Sequence, residues 1–287
     1  MTALPLIRSF TDKHGIDIVF YEWPVANARA VVQLVHGLGE HARRYDHVAA
    51  ALNRAGYAVY ATDHRGHGQT GVNMRAAGQI KRQGNVGVGG MRAVYANELQ
   101  LTDLINSEHP GLAVALIAHS WGSMIGQRIL NANSNRFAAV VLSGSTLLVP
   151  GILPPGNFNK RWNDTPNKSG FEWLSRNAEV GQKFAADPLN FPESAMEVFG
   201  LANTLQLLGL PTKAIRSDLP MLLIAGSEDA LGAERGNQFL LKALLRAGLK
   251  DVELIIYHGG RHESFNEINQ GEVITDVIDW LNGELSV

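Results

Sequence analysis

Three residues that could together perform nucleophilic catalysis lie far apart in the chain, each just beyond an apolar stretch. Ser120 stands between the small residues Ala118 and Gly122, Asp229 follows a second apolar stretch, and His262 follows a third. A serine hydroxyl is a weak nucleophile at neutral pH unless a histidine takes its proton and a carboxylate orients that histidine. The chain order serine, aspartate, histidine therefore predicts acyl transfer by Ser120, with His262 as the base and Asp229 as the acid.

The stretch around Ser120 predicts a buried strand that turns sharply into a helix. Residues 118–122 read Ala-His-Ser-Trp-Gly, one residue short of the pattern G-x-S-x-G, in which the serine hydroxyl is exposed at the apex of the turn. The backbone N–H groups of Trp121 and Leu38 are the predicted donors of an oxyanion hole. A serine in this position could instead serve only to cap the following helix, and these five residues alone do not distinguish the two roles.

Other polar residues near the predicted strand ends compete for these roles. Glu228 precedes Asp229 and is the alternative acid. Asp63, His64 and His67 have a spacing that permits a metal site, but no further ligand set is evident, so neither a metal nor a cofactor is expected. Histidines in glycine-rich turns more often brace their own loops, and that role is predicted for five of them: His36, His64, His67, His119 and His258.

Strand-like and helix-like stretches alternate along most of the chain, which predicts an α/β fold with a mostly parallel, doubly wound sheet. Residues 5–23 resemble a β-hairpin, and the glycine-rich residues 69–90 are predicted to form a loop. In such a sheet ligands bind beyond the carboxyl ends of the strands. The loops beginning at His36 and Asp63 and the turn at Ser120 are therefore expected at one edge.

The alternation stops between residues 147 and 217, where aromatic and aliphatic residues lie on short helical pieces. This predicts a core of residues 1–146 and 218–287 with an inserted helical cap of residues 147–217. A satellite hydrophobic core would give the same pattern, but a cap over the strand ends would also line an apolar substrate pocket. The predicted pocket residues are Trp121, Trp162, Phe171, Phe184 and Phe199.

Composition excludes several functional classes. The 287 residues carry a formal net charge of -2 and no long basic run, so nucleic acid is not an expected partner. No cysteine is present, which excludes disulfides and thiolate chemistry and suits a cytoplasmic protein. No signal peptide and no transmembrane segment is recognised.

Five motifs in chain order resemble those of α/β-hydrolases of the monoacylglycerol lipase and lysophospholipase type, a group also described as serine aminopeptidase-like hydrolases. They lie at residues 36–41 with Arg44 and Tyr45, 63–68, 119–122, 226–229, and 259–263 with Asn266 and Glu267. In the cap, residues 173–176 and 187–189 are also similar to bacterial members. The resemblance covers nearly the whole chain.

The resemblance implies the α/β-hydrolase fold and a serine ester hydrolase that forms an acyl-enzyme without a cofactor. The implied substrate is a small-molecule ester, lipid-like as in a monoacylglycerol or lysophospholipid. Transient membrane contact through the cap is compatible with such a substrate, but the sequence does not decide it. Small or aromatic monoesters, N-terminal peptide bonds and a non-catalytic ligand-binding role remain alternatives. Trp121 stands where many relatives have methionine, so it bears on the substrate more than on the reaction.

Overall fold

A single eight-stranded sheet organises the computed structural model, which describes residues 4–152, 158–164, 168–192 and 194–285. Its strands are β1 (Leu6–Thr11), β2 (Asp17–Trp23), β3 (Ala30–Val35), β4 (Tyr57–Thr62), β5 (Val114–His119), β6 (Ala139–Ser143), β7 (Met221–Gly226) and β8 (Val252–Tyr257). The strand order is β1-β2-β4-β3-β5-β6-β7-β8.

The sheet is parallel from β4 to β8 and antiparallel only at its N-terminal edge. β1 and β2 form the predicted hairpin, and β2 pairs antiparallel with β4. Every residue of the five strands β3 to β7 is buried. Strands that are covered on both faces consist of continuous runs of apolar residues, which is why the sequence predicts them well. The predicted mostly parallel, doubly wound sheet is confirmed.

Eight α-helices accompany the sheet in the described part of the chain. They are α1 (Asp46–Arg54), α2 (Gly68–Ala76), α3 (Gly90–Glu108), α4 (Trp121–Asn133), α5 (Ala178–Ala186), α6 (Ala195–Leu205), α7 (Ala233–Ala247) and α8 (Gln270–Glu284). Helices α1 and α8 pack on one face of the sheet, and α3, α4 and α7 pack on the other. Each layer forms a large hydrophobic core with its face of the sheet, and a smaller cluster of Ile16, Ile18, Met74 and Ile80 lies apart from both.

Helix α2 corrects the first part of the loop predicted over residues 69–90, whereas residues 77–89 form no helix or strand. It carries almost no apolar periodicity, so the sequence offers little sign of it. Tertiary contacts hold it instead: the Asp63 carboxylate accepts a hydrogen bond from the N–H of Gln69 at 2.7 Å, and the Thr70 hydroxyl accepts one from the N–H of Val19 at 2.9 Å. The side chain of Met74, on the inner face of α2, is buried.

The segment between β6 and β7 lies outside the sheet. Its described residues form a 3₁₀ helix at Phe158–Trp162 and the helices α5 and α6, and they contain no strand. Several of its side chains contact the loops at the carboxyl ends of β3, β4 and β5. Nowhere in the described ranges does a helix have both the length and the apolar character needed to span a membrane.

Candidate active site

Ser120 occupies the sharp turn between β5 and α4. Its backbone φ and ψ are 54° and −120°, a conformation that residues other than glycine seldom adopt. Its N–H donates to the carbonyl of Ser143 at 2.9 Å, which ties the turn to the end of β6. A Cβ atom at Gly122 would lie 2.2 Å from the carbonyl oxygen of Val35, so only glycine lets α4 begin this close to β3. Ala118 in place of the first glycine of the pattern is accommodated within the fully buried strand.

The structure brings Ser120, His262 and Asp229 together. The Ser120 Oγ lies 2.8 Å from Nε2 of His262, and Oδ1 of Asp229 lies 2.8 Å from Nδ1 of the same ring. Ser120 makes no side-chain cap for α4, because its hydroxyl faces His262 instead. Glu228 faces away and accepts a hydrogen bond from Arg161 at 3.0 Å. With these distances Nε2 can take the hydroxyl proton while Asp229 holds Nδ1–H.

Charges around His262 favour its protonated form. Burial of the ring lowers its pKa, but the adjacent Asp229 carboxylate raises it through charge and hydrogen bonding, and Glu263 and Glu40 add to that effect. The net result is a pKa above the ordinary value of 6.5. The imidazolium that would form during proton transfer is therefore stabilised.

We expect the pH dependence of kcat/KM to report this raised pKa. A base must be neutral to accept a proton, so activity should be full above the pKa of His262 and fall about tenfold per pH unit below it. The midpoint of the acid limb should lie above 6.5. The measurement is the initial rate of ester hydrolysis in a pH-stat, over the pH range in which the protein stays folded.

The variant Glu228→Gln is the matched control for this profile, since Glu228 is 35% exposed and bonded to Arg161. It should leave the acid limb where it is. An acid limb with its midpoint below 6.5 in the wild type would contradict the electrostatics described for His262.

The two predicted oxyanion donors come from two segments next to Ser120, the start of α4 and the loop after β3. The N–H of Trp121 belongs to the first turn of α4, where backbone N–H groups have no partner within the helix. Leu38 is half-buried in the loop after β3. A Cβ atom built on the preceding residue, Gly37, would lie 3.2 Å from the Cβ of Ser120, so this loop passes directly beside the serine. The loop that carries Leu38 and the turn that carries Trp121 are thus neighbours, as the predicted oxyanion hole requires.

Most of the competing histidines hydrogen-bond to their own surroundings. The ring-nitrogen contacts are His36 to the Gly37 carbonyl at 2.8 Å, His64 to the His36 carbonyl at 3.1 Å, His67 to the Arg65 carbonyl at 3.0 Å, and His119 to the Ser143 hydroxyl at 3.2 Å. Burial lowers the pKa of His67 and of His119 to about 3, so both rings are neutral. These contacts agree with the predicted loop-bracing role. The fifth, His258, is exposed.

Asp63, His64 and His67 do not converge on a metal position. The Asp63 carboxylate accepts hydrogen bonds from two backbone N–H groups and from the Tyr21 hydroxyl. His64 contacts the carboxylate of Glu98 at 3.1 Å. Within the described ranges, no group of three or more histidine, aspartate or glutamate side chains is arranged to hold a metal ion.

The predicted pocket residues separate into three places. Trp121 is only 2% exposed, and its ring lies 4.8 Å from that of Phe199 on α6 and 4.9 Å from that of His67. Phe171 and Phe184 pack on each other at 4.5 Å, with Arg44 over the Phe184 ring. Trp162 lies beneath the guanidinium of Arg261. Among these five, Trp121 and Phe199 are the pair that meets directly beside the serine turn.

Two aromatic residues that the sequence did not single out for the pocket lie against the site. The ring of Trp173 is 4.7 Å from that of His262, and its carbonyl accepts the His262 N–H at 3.3 Å. The ring of Phe191 is 4.9 Å from that of His67. Trp173 begins residues 173–176, for which the sequence suggests a resemblance to bacterial hydrolases, but no spacing in the chain indicates that it meets a histidine 89 residues away.

A polar cleft of about 380 Å³ opens between α5 and the segment that joins β3 to α1. It is lined by His41 and Arg44 on the core side and by Asn177, Lys183 and Asp187 on the other, among others. His41 Nε2 and Asp187 Oδ2 lie 3.0 Å apart across it. The inserted segment is thus joined to the core by polar contacts here and by aromatic contacts near Ser120.

Comparison with known proteins identifies relatives along almost the full chain. The family model described as serine aminopeptidase, S33 (Hydrolase_4), matches residues 26–269. The chain is 32% identical to a monoacylglycerol lipase of Mycolicibacterium smegmatis over 97% of each protein. It is 30% identical to human monoglyceride lipase, covering 91% of this chain and 84% of the relative.

Solved structures agree on the fold. A carboxyl esterase from Bacillus coagulans, solved with glycerol, superposes with a TM-score of 0.84 over 99% of this chain and 100% of that one. The two sequences are 24% identical, so this likeness concerns the fold. The resemblance predicted from the motifs and the α/β-hydrolase fold are both confirmed.

Proposed function

The chain belongs to the serine aminopeptidase S33 family of α/β-hydrolases and is a serine ester hydrolase, and on this premise we propose that it cleaves esters with an apolar acyl chain, of the monoacylglycerol or lysophospholipid kind. The observation that carries the mechanism is the pair of 2.8 Å contacts that joins Ser120 to His262 and His262 to Asp229. The relatives named as monoacylglycerol lipases support the substrate class.

In the first half of the proposed reaction, Ser120 Oγ attacks the ester carbonyl carbon while His262 Nε2 takes the hydroxyl proton. The carbonyl oxygen becomes an oxyanion that the N–H groups of Leu38 and Trp121 stabilise. The bond between the carbonyl carbon and the alcohol oxygen then breaks, and Nε2 returns its proton to that oxygen. The products of this half are the free alcohol and an acyl-enzyme on Ser120.

In the second half, water attacks the acyl-enzyme and gives a proton to Nε2 of His262. A second oxyanion forms in the same hole and collapses, the bond from carbonyl carbon to Ser120 Oγ breaks, and Nε2 returns the proton to the serine. The carboxylic acid leaves. Every proton is carried by His262, while Asp229 keeps the ring in the tautomer whose Nε2 is free to accept.

We assign residues 147–217 as a cap over this site and the remainder as the hydrolase core. The assignment is supported by three ring contacts between the segment and the core, made by Trp173, Phe191 and Phe199. On α6, the apolar side chains of Met196 and Leu201 are 50% and 61% exposed, which suits transient contact with an aggregated lipid substrate.

A panel of p-nitrophenyl esters from acetate to laurate, run beside a monoacylglycerol and a p-nitroanilide, tests the substrate class. Burying each further methylene of the acyl chain contributes about 0.8 kcal/mol, so kcat/KM should rise about fourfold per methylene until the pocket is filled. Monoacylglycerol should be cleaved and the anilide should not. A preference for acetate without cleavage of monoacylglycerol would contradict the lipid-like substrate.

One observation favours a second candidate, an esterase for small or aromatic monoesters. The Trp121 ring is fully buried beside the serine turn and fills space that a smaller side chain would leave open. If it limits the acyl site, the variant Trp121→Met should move the optimum of the same panel to longer chains. Trp280→Met, at a half-buried position on α8 bonded to Glu253, is the control and should leave the optimum unchanged.

A further inference from the structure

The carboxylate of Glu40 is buried in the loop after β3 and is surrounded by donors. It is 2% exposed. Its Oε1 accepts hydrogen bonds from the backbone N–H of Gly37 at 2.6 Å and from the Tyr45 hydroxyl at 2.8 Å, and its Oε2 accepts one from Arg44 at 2.5 Å. A buried carboxylate is costly unless it is paired in this way, so its contacts constrain the loop strongly.

These contacts bear on the direction of the Leu38 N–H. Glu40 holds the N–H of Gly37, and a ring nitrogen of His36 holds the carbonyl of Gly37 at 2.8 Å. That carbonyl and the N–H of Leu38 belong to one planar, trans peptide unit and point in opposite directions. Anchoring Gly37 at both its N–H and its carbonyl therefore sets where the Leu38 N–H points.

Glycine is required at position 37 for this arrangement. A Cβ atom there would lie 2.7 Å from Oε1 of Glu40 and 3.2 Å from the Cβ of Ser120. The Glu40 carboxylate and the Ser120 side chain thus both lie next to the space that a side chain at position 37 would occupy. Displacing Glu40 would therefore free the loop at a residue that lies beside Ser120.

Arg44 joins this loop to the loop that carries the base. Its guanidinium donates to Glu40 and also makes two parallel hydrogen bonds to the carboxylate of Glu263, at 2.6 and 2.7 Å. Glu263 directly follows His262 in the chain. The side chain of Arg44 is 11% exposed, so water competes little for these bonds.

We propose that Glu40 is a positioning residue for the oxyanion hole: through the N–H of Gly37 it aims the N–H of Leu38, and through Arg44 it keeps that donor in register with His262. This inference rests on the proposed function, because it presupposes that Leu38 N–H faces the oxyanion. Glu40 itself does not touch the substrate. Its effect is on stabilisation of the transition state.

The variants Glu40→Ala and Glu40→Gln separate positioning from general destabilisation. Glutamine keeps an oxygen that can accept from Gly37 but loses the charge facing Arg44, whereas alanine loses both. We expect kcat to fall about 10²-fold in the alanine variant, within the range for loss of one oxyanion donor, and less than about tenfold in the glutamine variant. KM should change little in either.

A boronic acid that forms a tetrahedral adduct with Ser120 supplies a readout that simple destabilisation would not move. Its inhibition constant should rise as kcat/KM falls from wild type to Glu40→Gln and Glu40→Ala, since both quantities depend on the oxyanion hole. Asp12→Asn is the control: Asp12 is a buried carboxylate paired with Arg65, so its loss should lower thermal stability but leave kcat within about twofold.

A Glu40→Ala enzyme with wild-type kcat, or a loss confined to KM, would overturn the inference. So would a boronic acid affinity that does not follow kcat/KM. If the alanine variant does not fold, the glutamine variant alone carries the same comparison with wild type. Failure of the proposed function is recognised separately, because the wild-type enzyme would then show no hydrolysis that depends on Ser120.

Discussion

Replacing Ser120 with alanine should lower kcat for p-nitrophenyl esters by about 10⁶-fold, as removal of the nucleophile does in other serine hydrolases. The Oγ atom of Ser120 is the group within reach of His262 Nε2, at 2.8 Å, and alanine leaves the base with nothing to activate. Residual turnover would come from water in the oxyanion hole. The measurement is kcat for the p-nitrophenyl ester that the wild-type enzyme hydrolyses fastest.

Covalent labelling with a fluorophosphonate probe tests the same prediction. It should add one label per chain to the wild type, at Ser120, and none to Ser120→Ala. Ser107→Ala is the matched control, because Ser107 is exposed on α3 and should not affect rate or labelling. Unchanged ester cleavage by Ser120→Ala would refute the mechanism, and a folded wild-type protein that never reacts with the probe would favour a non-catalytic ligand-binding role.

Replacing Asp229 with asparagine should lower kcat by about 10⁴-fold while leaving the fold intact. The Asp229 carboxylate accepts the hydrogen bond of His262 Nδ1–H, which leaves Nε2 free to take the serine proton. An asparagine amide can donate to Nδ1 and so favours the opposite tautomer, in which Nε2 already carries a proton. The His262 ring would then be in place but unable to act as a base.

The pH profile of Asp229→Asn should change in a defined direction. The Asp229 carboxylate is the largest influence that raises the pKa of His262, whereas burial lowers it. Without that charge the pKa falls, so the acid limb of the residual kcat/KM should move to lower pH. Glu228→Gln, one residue away, should alter neither kcat nor the limb. Equal losses in the two variants would mean that the acid had been assigned wrongly.

Much of the fold could be predicted because its signals are local. Strands β3 to β7 are buried on both faces, and each therefore appears in the chain as an apolar run. Most helices carry an apolar stripe that faces the sheet. The sequence does not predict helix α2, because it lacks such a stripe. It is held by two hydrogen bonds that no local pattern reveals, from the N–H of Gln69 to Asp63 and from the N–H of Val19 to Thr70.

For the candidate site, the sequence by itself determined the residue types and their order. Ser120, Asp229 and His262 each follow the carboxyl end of a strand, and the carboxyl ends of parallel strands meet at one edge of the sheet. This is enough to predict that the three side chains are neighbours. It is also enough, with the motifs around them, to predict the family to which the chain belongs.

Only the tertiary structure decided which atoms meet. It distinguishes Asp229 from the adjacent Glu228 by the direction of each side chain, buries the Trp121 ring against α6, and links Arg44 to a carboxylate 219 positions away. Spacing in a sequence reflects the preferences of a few neighbouring residues. Contacts between distant side chains depend instead on how the completed helices, strands and loops pack, and that is where the proposed role of Glu40 arises.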